Sequence, residues 1–169
     1  VFSREKKTDQ KEEIIERILC EKYNSYYRMA YSYVHNEADA ADIVQEGAYK
    51  AIKNSDSLQQ MEHASTWIYR IMMNEIYRFF DSKKCLRIDD ESFVEPQIED
   101  KYEDIDLMRA LESMSANDRA VIQLKYFEDM KLEEIALVLS ENISTVKSRL
   151  YRSLKKLHTD MQCEDRKGV

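Results

Sequence analysis

The chain has 169 residues, enough for one domain or two small ones, and 43% of them are hydrophobic, so a packed core is expected rather than wholesale disorder. With only 2 Gly and 1 Pro, it can build neither a glycine-rich phosphate loop nor the closely spaced turns of an all-β fold. The formal net charge is -7, but how that charge is distributed says more than its sum.

Other function classes are excluded early. Cys20, Cys85 and Cys163 are odd in number, widely spaced and form no CxxC, which indicates neither a disulfide framework nor a zinc knuckle. Thiols of a reducing cytoplasm are expected. His35, His63 and His158 are scattered, so no metal site is expected, and nothing calls for a cofactor or a small-molecule substrate. No apolar run approaches the ~18 residues of a membrane span, and the N-terminus is too polar for a signal peptide.

In chain order, residues 9–35 place Ile14, Ile18, Leu19, Tyr23, Tyr26, Ala30 and Tyr33 at steps of three and four, predicting one long amphipathic helix. Asn36 is a candidate N-cap, with Asp39 three residues on near the positive end of the dipole. A second helix should run to about Lys53 and bury Ile43, Val44, Ala48, Ala51 and Ile52. On it, Asp42, Gln45 and Glu46 fall at i, i+3 and i+4 and share one exposed face. A polar loop follows, and Ser65 or Thr66 should cap a third helix that buries Ile68, Ile71, Met72, Ile76 and Phe79. This helix mixes Trp67, Tyr69, Tyr77, Phe79 and Phe80 with Arg70, Asn74, Arg78, Lys83 and Lys84. Aromatic rings that stack on unpaired bases beside cations that hold phosphates suit a single-strand binder, although a core position explains each ring equally well.

Between Ile88 and Asp106 nine acids face one base, Lys101. That stretch carries a net -8 and leaves +1 for the rest of the chain. It also holds the one proline, Pro96, and lacks helical periodicity, so it reads as a linker. The period returns with Ile105, Met108, Leu111 and Met114. Ser115 and Asp118 form a plausible capping pair, and Val121, Ile122, Leu124 and Phe127 follow. Leu132, Ile135, Ala136 and Leu139 line one helical face. After a short polar turn with Asn142 as N-cap, Val146, Leu150, Leu154 and Leu157 should face inward. The segment STVKSRLYRSLKK (144–156) carries five cations and no acid. A helix–turn–helix presents its second helix to a DNA major groove, and positive charge there displaces counterions from phosphates. A solvated basic face or a membrane-surface helix is the alternative at this point.

Taken together, DIVQEGAYKAI, STWIYRIMMNEIYRFF and LESMSANDRAVIQLKYFEDMKLEEIALVLSENISTVKSRLYRSLKKL resemble regions 2 and 4 of bacterial extracytoplasmic-function (ECF) sigma factors of the sigma-70 family. The resemblance implies an all-α fold of two small helical domains joined by an acidic flexible linker. Region 2 would cover 9–84, the linker 85–104 and region 4, with its helix–turn–helix, 105–162. It implies a non-enzymatic factor that binds core RNA polymerase and directs it to promoter DNA. Asp42, Gln45 and Glu46 would dock on the polymerase clamp helices. Trp67, Arg70, Asn74 and Arg78 would meet the -10 element, with the loop 54–64 near a flipped base. Lys147, Ser148 and Tyr151 would face bases of the -35 element, and Thr145, Arg149 and Arg152 its phosphates. The linker would thread toward the RNA exit path. An anti-sigma factor, often membrane-anchored in such systems, is an implied partner. Gly47 stands where the group more often has threonine. Ser140 replaces the usual turn glycine and Glu141 an apolar residue, and a non-glycine residue with positive φ costs about 1 kcal/mol. The alternative function is a conventional helix–turn–helix regulator with an N-terminal dimerisation or sensor domain.

Overall fold

The computed structural model describes residues 2–86 and 110–165, with side chains over 10–82 and 110–159. Every regular element among the described residues is helical. The chain divides into two compact units, Val1–Phe93 and Val94–Val169. The expected linker, 85–104, lies outside the described residues except for positions 85 and 86, which continue the last helix of the first unit. The expected helical positions Ile105 and Met108 also lie outside them.

The first unit contains α1 (Phe2–Glu21), α2 (Tyr23–Val34), α3 (Glu37–Lys53) and α4 (Ala64–Leu86). The single helix predicted over 9–35 is two, bent at Lys22, where φ is -106° and ψ is 12°. Hydrogen bonding continues through the bend: the Lys22 N–H donates to Ile18 O at 2.9 Å and the Tyr26 N–H to Lys22 O at 3.1 Å. The buried row runs Ile15, Leu19, Tyr26, Ala30, Tyr33 and passes through Lys22 rather than Tyr23. Lys22 lies with its ammonium 5.1 Å from the Tyr69 ring centroid, and Tyr23 is 45% exposed.

Asn36 caps α3 as expected, its Oδ1 accepting the Asp39 N–H at 2.9 Å. Ala40, Ile43, Val44, Gly47 and Ala51 form the buried face of α3. At Gly47 the helix presses on α4: a β-carbon there would overlap Met72 Sδ and lie 3.1 Å from its Cε. From α4 the core receives Ile68, Tyr69, Met72, Met73 and Ile76. This helix starts at Ala64, so the expected caps Ser65 and Thr66 lie inside its first turn. A 3-10 turn, Met61–His63, leads directly into it. The rest of the connection is tied down on α1. Lys11 Nζ donates to Asp56 O at 3.2 Å, Ser55 Oγ to Glu12 Oε1 at 3.3 Å, and Leu58 is buried.

The second unit contains α5 (Ala116–Tyr126), α6 (Leu132–Leu139) and α7 (Ile143–Asp165). Ala110, Leu111 and Met114 pack with Ile122 and Leu157, and Leu150 covers them. Ser115 caps α5 by accepting the Asp118 N–H at 3.2 Å, as its sequence spacing suggested. Buried Arg119 satisfies the carbonyls that end the preceding turn, donating to Leu111 O at 3.0 Å and Glu112 O at 3.1 Å. The inward residues of α6 are Ile135 and Val138, while Ala136 and Leu139 are half-buried.

Candidate nucleic-acid and protein interfaces

The turn between α6 and α7 decides how the basic helix is held. Ser140 takes the left-handed conformation, φ 55° and ψ 37°. The Glu141 N–H then donates to Ala136 O at 3.0 Å and the Ser140 N–H to Leu137 O at 3.4 Å, the double closure of a Schellman motif. Such motifs usually place an apolar side chain at position 141. Glu141 instead receives Arg149 from α7, Nε to Oε2 at 2.8 Å and Nη2 to Oε1 at 2.9 Å, and Asn117 Nδ2 at 3.2 Å. Arg149 Nη1 also donates to Asp118 Oδ1 at 2.9 Å. These hydrogen bonds, first to Glu141 and then to Asp118, raise the guanidinium's pKa further above its already high value. One arginine therefore ties α7 to α5 and to the turn.

This placement separates the five cations of 144–156. Arg149 is half-buried in its carboxylate pair, and Lys156 Nζ donates to Ser113 O at 2.7 Å. Lys147, Arg152 and Lys155 are exposed with no ion pair among the described residues. They share their face with Ser144, Ser148 and Tyr151, the last 71% exposed. Thr145 sits at the helix start, where its N–H and hydroxyl both donate to the cap oxygen of Asn142, at 2.8 and 3.0 Å. The inward row is Val146, Leu150, Ser153, Leu157. Leu154, expected inside, is 39% exposed because a four-three-four step, not four-four-three, follows the helix axis.

In the first unit, Asp42, Gln45 and Glu46 are all exposed on α3, on one face. They line an open groove of about 700 Å³ together with Ile43, Tyr49, Glu75, Arg78, Phe79 and Ser82. Glu75 is buried between α3 and α4, where it accepts Lys50 Nζ at 2.6 Å and lies 3.7 Å from Arg78 Nη1. Lys50 also reaches Glu46 Oε1 at 3.3 Å. The sequence reading missed Tyr49 and Glu75. Tyr49, four residues after Gln45, was legible as part of the same face. Glu75, among apolar positions of α4, gave no local sign of its partner.

Along α4, Trp67, Arg70, Asn74 and Arg78 follow one stripe at steps of three, four and four. Trp67 is half-buried and the other three are exposed. Arg78 lies at the border of this stripe and the α3 groove. Of the aromatic residues, Tyr69 belongs wholly to the core, edge-on to Tyr26 at 4.8 Å, and Tyr77 packs on Tyr33 at 6.4 Å. Phe80 is 39% exposed. Among the described residues no His, Cys, Asp or Glu cluster could hold a metal ion, and no helix is long and apolar enough to cross a membrane.

Comparison with known proteins agrees with this division. The family model for sigma-70 region 2 matches residues 21–84, and that for sigma-70 region 4 matches residues 104–157. The RNA polymerase sigma factor SigV of Bacillus subtilis is 41% identical over 143 residues, covering 83% of this chain and 86% of the relative. The ECF RNA polymerase sigma factor SigW of the same organism is 29% identical, covering 80% of this chain and 82% of the relative. Among solved structures, the sigma factor RpoE of Bartonella quintana, crystallised with the anti-sigma factor NepR, superposes with a TM-score of 0.73 at 24% identity, covering 87% of this chain and 96% of that one. CnrH, solved with the cytosolic domain of CnrY, gives a TM-score of 0.68 at 20% identity, covering 88% of each chain. At that identity the structural likeness speaks for the fold, and the sequence relatives and family models speak for the lineage. On these grounds the chain belongs to the sigma-70 family and is an RNA polymerase sigma factor of the ECF type.

Proposed function

We propose that the two units divide the work of promoter recognition between polymerase docking with -10 capture and -35 reading, with 85–104 as the tether between 9–84 and 105–162. The α3 face of Asp42, Gln45 and Glu46 docks on core RNA polymerase. The stripe Trp67, Arg70, Asn74 and Arg78 meets the -10 element. Holding an unpaired base makes strand opening less unfavourable: extruding a base costs a few kcal/mol, and stacking on an aromatic ring returns about 1–3 kcal/mol. The mechanism is differential binding of melted DNA. It needs no covalent chemistry, so the chain acts as a factor rather than an enzyme, in the cytoplasm with the polymerase.

In the second unit, Lys147, Ser148 and Tyr151 face base edges of the -35 element, and Thr145 and Arg152 face phosphates, Thr145 at the positive end of the α7 dipole. Arg149 takes part through the helix it holds. The observation that carries this reading is the stripe on α7: Lys147, Arg152 and Lys155 are exposed without an ion pair among the described residues and interleaved with short polar side chains, while Arg149 is held by two carboxylates and Lys156, though exposed, donates to Ser113 O. An anti-sigma factor that covers these faces is the expected regulatory partner. The solved complexes of RpoE with NepR and of CnrH with CnrY support it.

The test is run-off transcription with purified core polymerase, paired with co-purification. The wild-type chain should co-elute with core and yield promoter-specific transcripts. Asp42→Arg and Glu46→Arg should lose co-elution, and Lys147→Ala with Arg152→Ala should keep it but lose transcripts. A conventional regulator would instead bind its site tightly without core, and that result would overturn the proposal.

A further inference from the structure

The α3 groove contains a charge arrangement that the docking of Asp42, Gln45 and Glu46 does not by itself require. Lys50 projects from α3 one turn beyond Glu46 and has two carboxylates to choose from. It lies closer to Glu75 of α4, at 2.6 Å, than to Glu46, at 3.3 Å. The Glu75 side chain is 9% exposed and the Glu46 side chain 48%. A desolvated carboxylate holds a cation much more strongly than an exposed i,i+4 partner does. Arg78, mostly exposed and 3.7 Å away, adds little to the Glu75 charge.

We infer that Glu75 is a positioning residue of the polymerase-docking face: by holding the Lys50 ammonium more closely than Glu46 does, it limits how far Lys50 neutralises Glu46 and keeps the face net acidic. The inference rests on the reading of that face as the docking site. The charges lining or bordering the groove are Asp42, Glu46 and Glu75 against Lys50 and Arg78, a net of -1. Removing the Glu75 charge takes the net to zero and leaves Lys50 no partner but Glu46. Removing the Lys50 charge takes it to -2. Tyr49 and Phe79 line the same groove and give the partner an apolar surface, so the charge sets preference within a contact made largely by shape.

The experiment measures the affinity of the full chain for core polymerase, with thermal stability recorded in parallel. Glu75→Gln should weaken binding about five-fold, as for one unit charge ~8 Å from a partner charge at a protein surface, and should flatten its salt dependence. Lys50→Gln should bind about five-fold more tightly while melting at a lower temperature, because Glu75 is then buried without its cation. The double variant Lys50→Gln/Glu75→Gln restores the net -1 and should bind like the wild type. Affinity and stability thus move in opposite directions in Lys50→Gln, which a purely structural bridge would not produce. If Lys50→Gln binds no tighter than the wild type while Asp42→Arg abolishes binding, the Glu75 inference is overturned and the docking site stands. If Asp42→Arg and Glu46→Arg also leave binding intact, the docking reading falls and the inference with it.

Discussion

Arg149 of the basic helix grips Glu141 of the turn with two parallel hydrogen bonds, 2.8 and 2.9 Å long, in a fork-to-fork geometry. The pair converts an acid at a normally apolar turn position into the anchor of α7. Both side chains are mostly shielded, at 21% and 17% exposure. Truncating one partner leaves a poorly solvated charge behind. Arg149→Ala should therefore cost the second unit about 2–4 kcal/mol, and Glu141→Ala a similar amount. The double variant should cost less than the sum, since each single change strands the other's charge. Trp67 is the one tryptophan and lies in the first unit, so its fluorescence reports the wrong half of the molecule. Amide hydrogen exchange over α5–α7 is the suitable measurement, with unchanged Trp67 unfolding as its control.

Ser140 provides a second handle on the same turn. Its φ of 55° places Cβ against the following carbonyl, at a cost of about 1–2 kcal/mol that glycine avoids. Glycine loses more backbone entropy on folding, which returns part of that gain. Ser140→Gly should stabilise the unit by about 0.5–1 kcal/mol, read as slower exchange at α6 and α7. No change, or a loss, would mean that the serine hydroxyl compensates for the strain.

How much of this was legible in the sequence depends on the range of the interaction. Asn36 and Ser115 were readable as caps because a cap bonds three residues away, within one turn. The helix–turn–helix was readable because its two inward rows repeat at helical spacing. The bend at Lys22 was not, since a cation on the buried row disguised the row's course and made Tyr23 look like its member. Leu154 misled for a related reason: the axis carries Ser153 inward, and a serine gives an apolar row no sign of itself. Arg149 looked like one more cation of a DNA-facing stripe. Its partners lie 8 and 31 residues away, and only the fold brings them to it.

Gly47 tests the packing beneath the α3 face proposed to dock on polymerase. A β-carbon there meets Met72, which is 1% exposed and cannot swing into solvent. Alanine also gains about 1 kcal/mol of helix propensity over glycine, so Gly47→Ala should be nearly neutral. Gly47→Val adds bulk without that propensity gain and should cost about 1–3 kcal/mol in Trp67-monitored urea unfolding. Met72→Ala opens the space, so Gly47→Val in a Met72→Ala background should cost less than it does alone.

The exposed stripe of α7 makes the final prediction, one that separates phosphate contacts from base contacts. Each cation that neutralises a phosphate releases a counterion, so log Kd varies with log salt by about 0.9 per contact. With the polymerase-bound chain on -35 duplex, Arg152→Ala should weaken binding on every sequence alike and lower the slope by about 1. Ser148→Ala should leave the slope unchanged but flatten the preference among base substitutions in the -35 element, since a hydroxyl at a base edge carries sequence information and no charge. Arg149→Lys offers the contrast: lysine keeps the charge but not the fork that spans Glu141 and Asp118. It should destabilise the unit and weaken binding through a poorly held helix, with the salt slope preserved. A slope that falls by one in Arg149→Ala, with no change in exchange protection, would instead make Arg149 a direct phosphate ligand.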